Sequence, residues 1–225
     1  MSAEAALSYD EDPETQVQAA SIVLKLRGLG ISDRAVLKAI ETVPRSLFVP
    51  KEWRHHAYSD HALPIECGQT LSAPSVVALM TASLDVSDRH AVLEIGTGTG
   101  YQTAVLARLA RRVTTIERFR TLSKAAEARF QALGIRNVSA IVGDGLLGWR
   151  RQAPFDRILV SAACLEPPVK LITQLTDSGI LVAPIGAGEG VQRLTLFQRI
   201  GQSVDTRDLG GVRFLPVVAG PARTL

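Results

Sequence analysis

A chain of 225 residues and 24.1 kDa fits one compact domain, since single cores stop growing near ~250 to 300 residues. Hydrophobic residues make up 46% and charged residues 21%, a globular balance that excludes disordered and disulfide-scaffold classes. The net charge of +3 is small and the Lys and Arg residues are scattered, so no nucleic-acid partner is expected.

Cys67 and Cys164 lie far apart and follow no metal or redox spacing, which points to a reducing compartment. The stretch from Met1 to Thr15 is acidic and rich in small residues, unlike a basic-then-apolar leader. No apolar run approaches the ~18 residues of a membrane span, so a cytoplasmic location and no membrane partner are expected.

In chain order, apolar residues from Gln16 to Arg27 recur at helical spacing and stop at Gly28, predicting a first helix. Ser32 stands where an N-cap is expected for a second helix through Ile40, which ends before Pro44. From Pro44 to Ala73 periodicity disappears, in a segment too long for an ordinary connection and therefore expected to be functional. His55, His56 and His61 within it fit no metal-ligand spacing, so no metal is assigned. Pro74 to Leu84 resumes a helical pattern, with proline in its first turn and Ser72 just ahead of it.

After residue 90 short β-rich runs alternate with helical ones. Strands are predicted at Ala91–Ile95, Val113–Glu117, Val138–Val142, Arg157–Val160 and Ile180–Ile185. Helices are predicted at Tyr101–Leu109, Leu122–Leu133 and Pro168–Gln174. Such alternation demands a parallel sheet. Arg193–Arg199 and Val212–Pro216 follow without an intervening helix and are read as antiparallel additions at its end. The expected fold is α/β: one domain, 1–225, built on a doubly wound, mostly parallel, Rossmann-like sheet. Residues 1–90 supply N-terminal helices and an irregular loop, and 91–225 supply the sheet.

The first predicted strand runs into Gly96-Thr97-Gly98-Thr99-Gly100 and then a helix, a turn whose backbone can approach a ligand closely. Tyr101 stands where a dinucleotide fingerprint has its third glycine, so a pyrophosphate turn is matched imperfectly. Glu94, two residues before the glycines, would repel an anionic pyrophosphate but not a cationic ligand. Glu117 ends the next strand, 19 residues beyond Gly98, where an acid accepting from ribose hydroxyls is expected. Asp144 and Gly145 follow the third strand at the same edge, where adenine contact is expected. Each acid has a structural alternative: Glu117 could pair with Arg118 or Arg120, and Asp144 could cap its own turn.

With these residues in hand, the chain resembles the protein-L-isoaspartate O-methyltransferase family from about Gln16 to Gly220. The most specific matches precede the glycines: Val43-Pro44-Arg45, Phe48-Val49-Pro50, Ala62-Leu63-Pro64-Ile65 and Gly68-Gln69-Thr70-Leu71-Ser72-Ala73-Pro74. Leu93 to Ala104 and Gly143-Asp144-Gly145 match as well, and Val212 to Pro216 resembles the family's closing strand. Leu71 replaces a commoner isoleucine, and Glu66-Cys67 fills a stretch that often carries glycine.

The resemblance implies methyl transfer from S-adenosyl-L-methionine to the free α-carboxylate of L-isoaspartyl residues in damaged proteins and peptides, leaving S-adenosyl-L-homocysteine. The methyl ester then collapses to a succinimide whose hydrolysis restores some aspartyl linkages. It implies that Ser72 is the active-site serine and that Thr70, Leu71, Ser72, Ala73, Gly96, Glu117, Asp144 and Gly145 contact the cofactor, beside Glu94, Gly98 and Gly100 of the glycine segment. A carboxylate acceptor with a pKa near ~4 is ionised at neutral pH and needs no general base. Ser72 is therefore expected to orient the acceptor, with a helix N-cap as its alternative role.

Four other readings are each opposed by particular residues, a non-catalytic cofactor-binding module by the serine loop itself. A carboxyl methyltransferase for a precursor peptide or a small acid would keep every cofactor residue, with only the Pro44–Pro74 loop against it. Adenine methylation would need an Asn/Asp-Pro-Pro-aromatic block where Ser161-Ala162-Ala163 stands. A nicotinamide oxidoreductase is opposed by the glycine spacing and by Glu94. No oligomeric state is assigned.

Overall fold

The computed structural model describes residues 13–188 and 190–222; residues 1–12 of the acidic amino terminus lie outside them. Two helices open the described chain, α1 (Pro13–Gly28) and α2 (Arg34–Thr42). The N-cap of α2 is Asp33 and not the expected Ser32. Its extended backbone holds the carboxylate over the amides of Ala35 and Val36, at 2.9 and 3.0 Å, and the helix begins one residue later.

The irregular segment is built from three 3-10 turns, Arg45–Phe48, Lys51–His56 and Glu66–Gly68, and a two-stranded ribbon. The ribbon pairs β1 (Leu63–Pro64) with β2 (Thr70–Leu71) antiparallel. Between them Cys67 adopts φ 59°, the left-handed region that glycine occupies most easily, which accounts for this stretch often carrying glycine. Helix α3 (Pro74–Leu84) follows, with Ala73 at its N-cap and no side-chain cap. Ser72 therefore does not cap it. The amide of Ser75 in its first turn instead donates to Asp60 Oδ1 at 2.9 Å, so the loop itself closes the helix end.

The sheet has seven strands: β3 (Ala91–Ile95), β4 (Arg112–Glu117), β5 (Val138–Val142), β6 (Phe155–Val160), β7 (Leu175–Ile185), β8 (Gln192–Ile200) and β9 (Ser203–Val212). Their spatial order is β5-β4-β3-β6-β7-β8-β9. The first five in chain order, β3 to β7, run parallel, and β8 and β9 are added antiparallel. All five residues of β3 are buried, as expected of a strand covered on both faces, and this is why it reads as an apolar run. Helices α4 (Tyr101–Ala107), α5 (Arg120–Ala132) and the single turn α6 (Val169–Ile172) connect the parallel strands.

Two expectations are corrected here. The Pro168–Gln174 helix is one turn long, because β7 begins at Leu175, five residues before its apolar run. The closing strand is Ser203–Val212 and not Val212–Pro216; the later segment is held by an isolated parallel bridge between Ala163 and Pro216 and by the Gln192 side chain, which donates to Phe214 O and accepts from Phe214 N.

The chain order reverses at β3: β4 and β5 lie on one side, and the chain returns to β6 on the other. In open α/β sheets this switch point leaves a crevice beyond the carboxyl ends of the two central strands.

Candidate functional site

A cleft opens at that switch point, enclosing about 830 Å³ when the space open at its mouth is counted. Its floor comes from the strand ends, Ile95 of β3, Ile116 and Glu117 of β4, and Ser161 and Ala162 after β6. The glycine loop supplies Gly96, Thr97, Gly98 and Thr99. Across from it the segment Gln69-Thr70-Leu71-Ser72 lines the cleft, so the irregular loop and the sheet meet at one site.

The glycine turn requires its glycines for different reasons. Gly96 and Gly98 take φ 91° and 55° along the cleft wall, a conformation that costs residues with a Cβ. Gly100, at φ 96°, does not line the cleft; a Cβ there would come within 2.8 Å of the Phe130 ring of α5. Its smallness seats that helix rather than a ligand. Gly145 does line the cleft, and a Cβ on it would fall 2.3 Å from Ile95 Cγ2, so the turn after β5 can press against β3 only with glycine there.

Glu117 is 5% exposed and makes no pair with Arg118 or Arg120 among the ion pairs of the described residues. Its Oε2 accepts from the Gly98 amide at 2.9 Å and its Oε1 from the Phe119 amide at 3.0 Å. The carboxylate thus fixes the glycine turn, and each oxygen keeps further capacity to accept a hydrogen bond.

Glu94 stands elsewhere than expected. Successive strand residues face opposite sides of a sheet, and Ile95 takes the cleft side while Glu94 points under the loop toward α4. There it is fully buried and accepts from the hydroxyls of Thr103 and Thr115. Because the Thr115 hydroxyl gives its proton to Glu94, it accepts from Thr97 Oγ1 at 2.6 Å. Glu94 thereby holds Thr97 of the cleft wall through one intermediary and does not reach the cleft itself. Burial pushes its carboxyl up to about 7 from an ordinary 4.5, against the pull of the two threonine hydroxyls and with a further push from the charge of Glu117.

A pH consequence follows from that shift. The neutral form fits the folded site better, so stability is fully present below about 4.5 and falls as pH rises toward 7. Glu94→Gln is expected to flatten this decline, on the order of 2 to 3 kcal/mol, in urea unfolding measured between pH 5 and 7.5. A variant with the same slope as the parent would refute the assignment.

Asp144 takes up the capping role that the sequence left open for it. Its Oδ1 accepts from the Leu146 amide at 2.9 Å and caps the turn from Gly145 to Leu147, and it does not line the cleft. Ala73 lies outside the lining too, because it serves as the N-cap of α3.

Behind Ser72 sits Arg45, which in sequence stands only as the last residue of Val43-Pro44-Arg45. The guanidinium of Arg45, 1% exposed, donates from Nε to Ala57 O and from Nη2 to Ser72 O, both at 2.7 Å. It lies 4.7 Å from the ring centroid of Tyr101, which lines the cleft at the start of α4. One side chain thus ties the loop, the serine and the first helix after the glycines together. Burial holds its pKa below the usual arginine value.

The cleft is completed by Arg118 and by Pro216, Val217 and Val218, none of which the sequence placed at the site. Strand order could have found Ser161 and Ala162, which end the strand across the switch point. The Pro216 wall is fixed by long-range contacts, its bridge to Ala163 and the Gln192 side chain on Phe214.

Residues 17–222 match the family described as Protein-L-isoaspartate(D-aspartate) O-methyltransferase (PCMT). A protein-L-isoaspartate O-methyltransferase of Azorhizobium caulinodans is 53% identical over 210 residues, covering 93% of this chain and 97% of that relative. Another, from Maricaulis maris, is 52% identical over 91% of this chain and 95% of its own. Among solved structures, one protein-L-isoaspartate O-methyltransferase superposes with a TM-score of 0.81 at 29% identity, covering 89% of this chain and 66% of that one. A Plasmodium falciparum structure, solved with S-adenosyl-L-homocysteine, shares the fold with a TM-score of 0.76 at 23% identity over 88% of this chain and 97% of its own. With a match spanning nearly its whole length, the chain belongs to the protein-L-isoaspartate(D-aspartate) O-methyltransferase family.

Proposed function

We propose that the chain methylates the free α-carboxylate of L-isoaspartyl residues in damaged proteins and peptides, with S-adenosyl-L-methionine as methyl donor. The observation that carries this reading is the meeting of Gln69-Thr70-Leu71-Ser72 with Gly96, Gly98 and Glu117 around one cleft. A cofactor loop alone fits many methyltransferases; the serine loop facing it is what narrows the acceptor.

The residues present fit the donor. Glu117 offers carboxylate oxygens to ribose hydroxyls, Ile95 and Ile116 offer apolar walls to a nucleoside, and the Gly96–Gly98 backbone leaves the cleft open beside them. Gly145 would approach the base, with Asp144 bracing its turn. When bound, the donor supplies an electrophilic methyl: an O–CH3 bond forms at the acceptor carboxylate as the S–CH3 bond breaks, the electron pair staying on sulfur.

The protein's own part is positioning. No base is needed, because the acceptor is already ionised at neutral pH. The Ser72 hydroxyl donates to one carboxylate oxygen and leaves the other free to attack, while Arg45 fixes the Ser72 peptide from behind. Alignment of this kind, with water excluded, can supply several kcal/mol of the barrier reduction. The reading takes residues 1–225 as one working domain, supported by a single apolar cluster that joins Leu26 and Leu37 of the opening helices to Leu122 and Phe130 of α5.

It also places the enzyme in the cytoplasm, supported by two free cysteines. Among the described residues no helix is long and apolar enough to cross a membrane.

The test follows the acceptor. Chromatography of an isoaspartyl peptide incubated with enzyme and donor should show succinimide and then aspartyl peptide accumulating. Ser72→Ala should slow this about 10- to 100-fold while leaving donor affinity within about twofold. If donor binding collapsed with turnover, the serine would belong to the donor pocket and not to the acceptor.

A further inference from the structure

Beside the cleft lies a second hollow, of about 1010 Å³ counting its open mouth, that the methyl-transfer reading does not use. The two share Pro216 and Val217, which form a narrow strap between them. Both walls of the strap are set by backbone bonds: Ala163 N donates to Leu215 O and Val217 N to Ala163 O, each at 2.8 Å. Beneath, Cys164 N donates to Pro184 O and Gly186 N to Cys164 O, each at 2.9 Å, so the hollow is preformed.

Its far side carries Leu165 and Val169, 74% and 65% exposed, two of the most exposed large apolar side chains among the described residues. Single exposed apolar residues are ordinary, but two flanking a preformed hollow next to a ligand cleft mark a contact surface. Glu166 and Lys170 also line it, and their opposite charges leave no net field to attract an ion.

We propose that this groove receives an apolar side chain flanking the isoaspartyl residue of the acceptor chain. The inference rests on the function proposed above. An acceptor whose carboxylate enters the cleft must carry its neighbours over the cleft mouth. An extended chain advances ~3.3 Å per residue, so it is the near neighbours of the isoaspartyl residue that lie over the strap. The occupant is thus a segment of the substrate protein, chosen by continuity with the cleft and by the neutral, apolar lining.

The test uses isoaspartyl pentapeptides with leucine or serine placed in turn at each of the two positions on either side, and the full-length enzyme against the double variant Leu165→Ser/Val169→Ser. For the parent, leucine at one flanking position should lower KM about tenfold relative to serine. The variant should lose that advantage while its KM for the serine peptides, its KM for the donor and its melting temperature stay unchanged. Equal loss on both peptide sets, or no flanking position preferring leucine, overturns the groove proposal alone. So does a change of oligomeric state in the variant by sedimentation without any peptide effect, which would make the occupant a second copy of this chain. Absence of methylation on every isoaspartyl peptide overturns the function itself.

Discussion

Arg45→Ala is expected to destabilise the fold by about 2 to 4 kcal/mol, read as a lowered denaturant midpoint with unchanged slope. The truncation leaves Ala57 O and Ser72 O without their donor and removes the guanidinium from the face of Tyr101. Each orphaned buried carbonyl costs about 1 to 3 kcal/mol and the lost cation–π contact about 1 to 2. Desolvation of the buried cation, whose Nη1 finds no acceptor among the described residues, offsets part of that sum. Arg45→Lys should recover little, because one ammonium on a flexible stem cannot span two carbonyls held by a planar fork. Turnover should fall further than stability alone explains, since the Ser72 peptide loses its support. A variant within about 0.5 kcal/mol of the parent would show that the loop is held by other means.

Glu117→Ala is expected to weaken donor or product binding about 100-fold, measured by calorimetry with S-adenosyl-L-homocysteine. Two causes act together. The ribose loses a charged acceptor, a bond worth about 1.5 to 3 kcal/mol. The amides of Gly98 and Phe119 lose theirs as well, so the glycine turn relaxes out of its binding shape. Glu117→Gln, which keeps one acceptor atom, should fall between the two. Equal affinity in all three proteins would remove Glu117 from the binding site.

The legible parts of this fold are those where one physical cause acts locally. β3 is covered on both faces, so Ala91–Ile95 is uniformly apolar but for one acid, and its bounds could be read directly. The Gly96–Gly100 segment is likewise local, because φ above zero writes itself as glycine. β9 was illegible for the opposite reason: Ser203 to Asp208 is an exposed edge strand, held by pairing with β8 and not by burial, and it carries no alternation to read.

The site divides in the same way. Glu117 ends β4 and Gly145 follows β5 by three residues, so strand order puts both at the carboxyl edge of the sheet. Glu94 was read by its distance in sequence from the glycines, whereas strand parity sends it to the opposite face, against Thr103 and Thr115. Arg45 stands in a recognisable motif, yet its partners Ala57, Ser72 and Tyr101 lie 12, 27 and 56 residues away, beyond any local pattern. Pro216 and Val217 reach the cleft through long-range contacts, the bridge to Ala163 and the Gln192 side chain on Phe214.

The central claim is that the cleft and the serine loop select an isoaspartyl carboxylate. It is tested most directly by offering methyl-labelled donor and two peptides identical except for isoaspartate or aspartate at one position. Base-labile label on the isoaspartyl peptide alone is the predicted result. Label on neither peptide, or equal label on both, would contradict it.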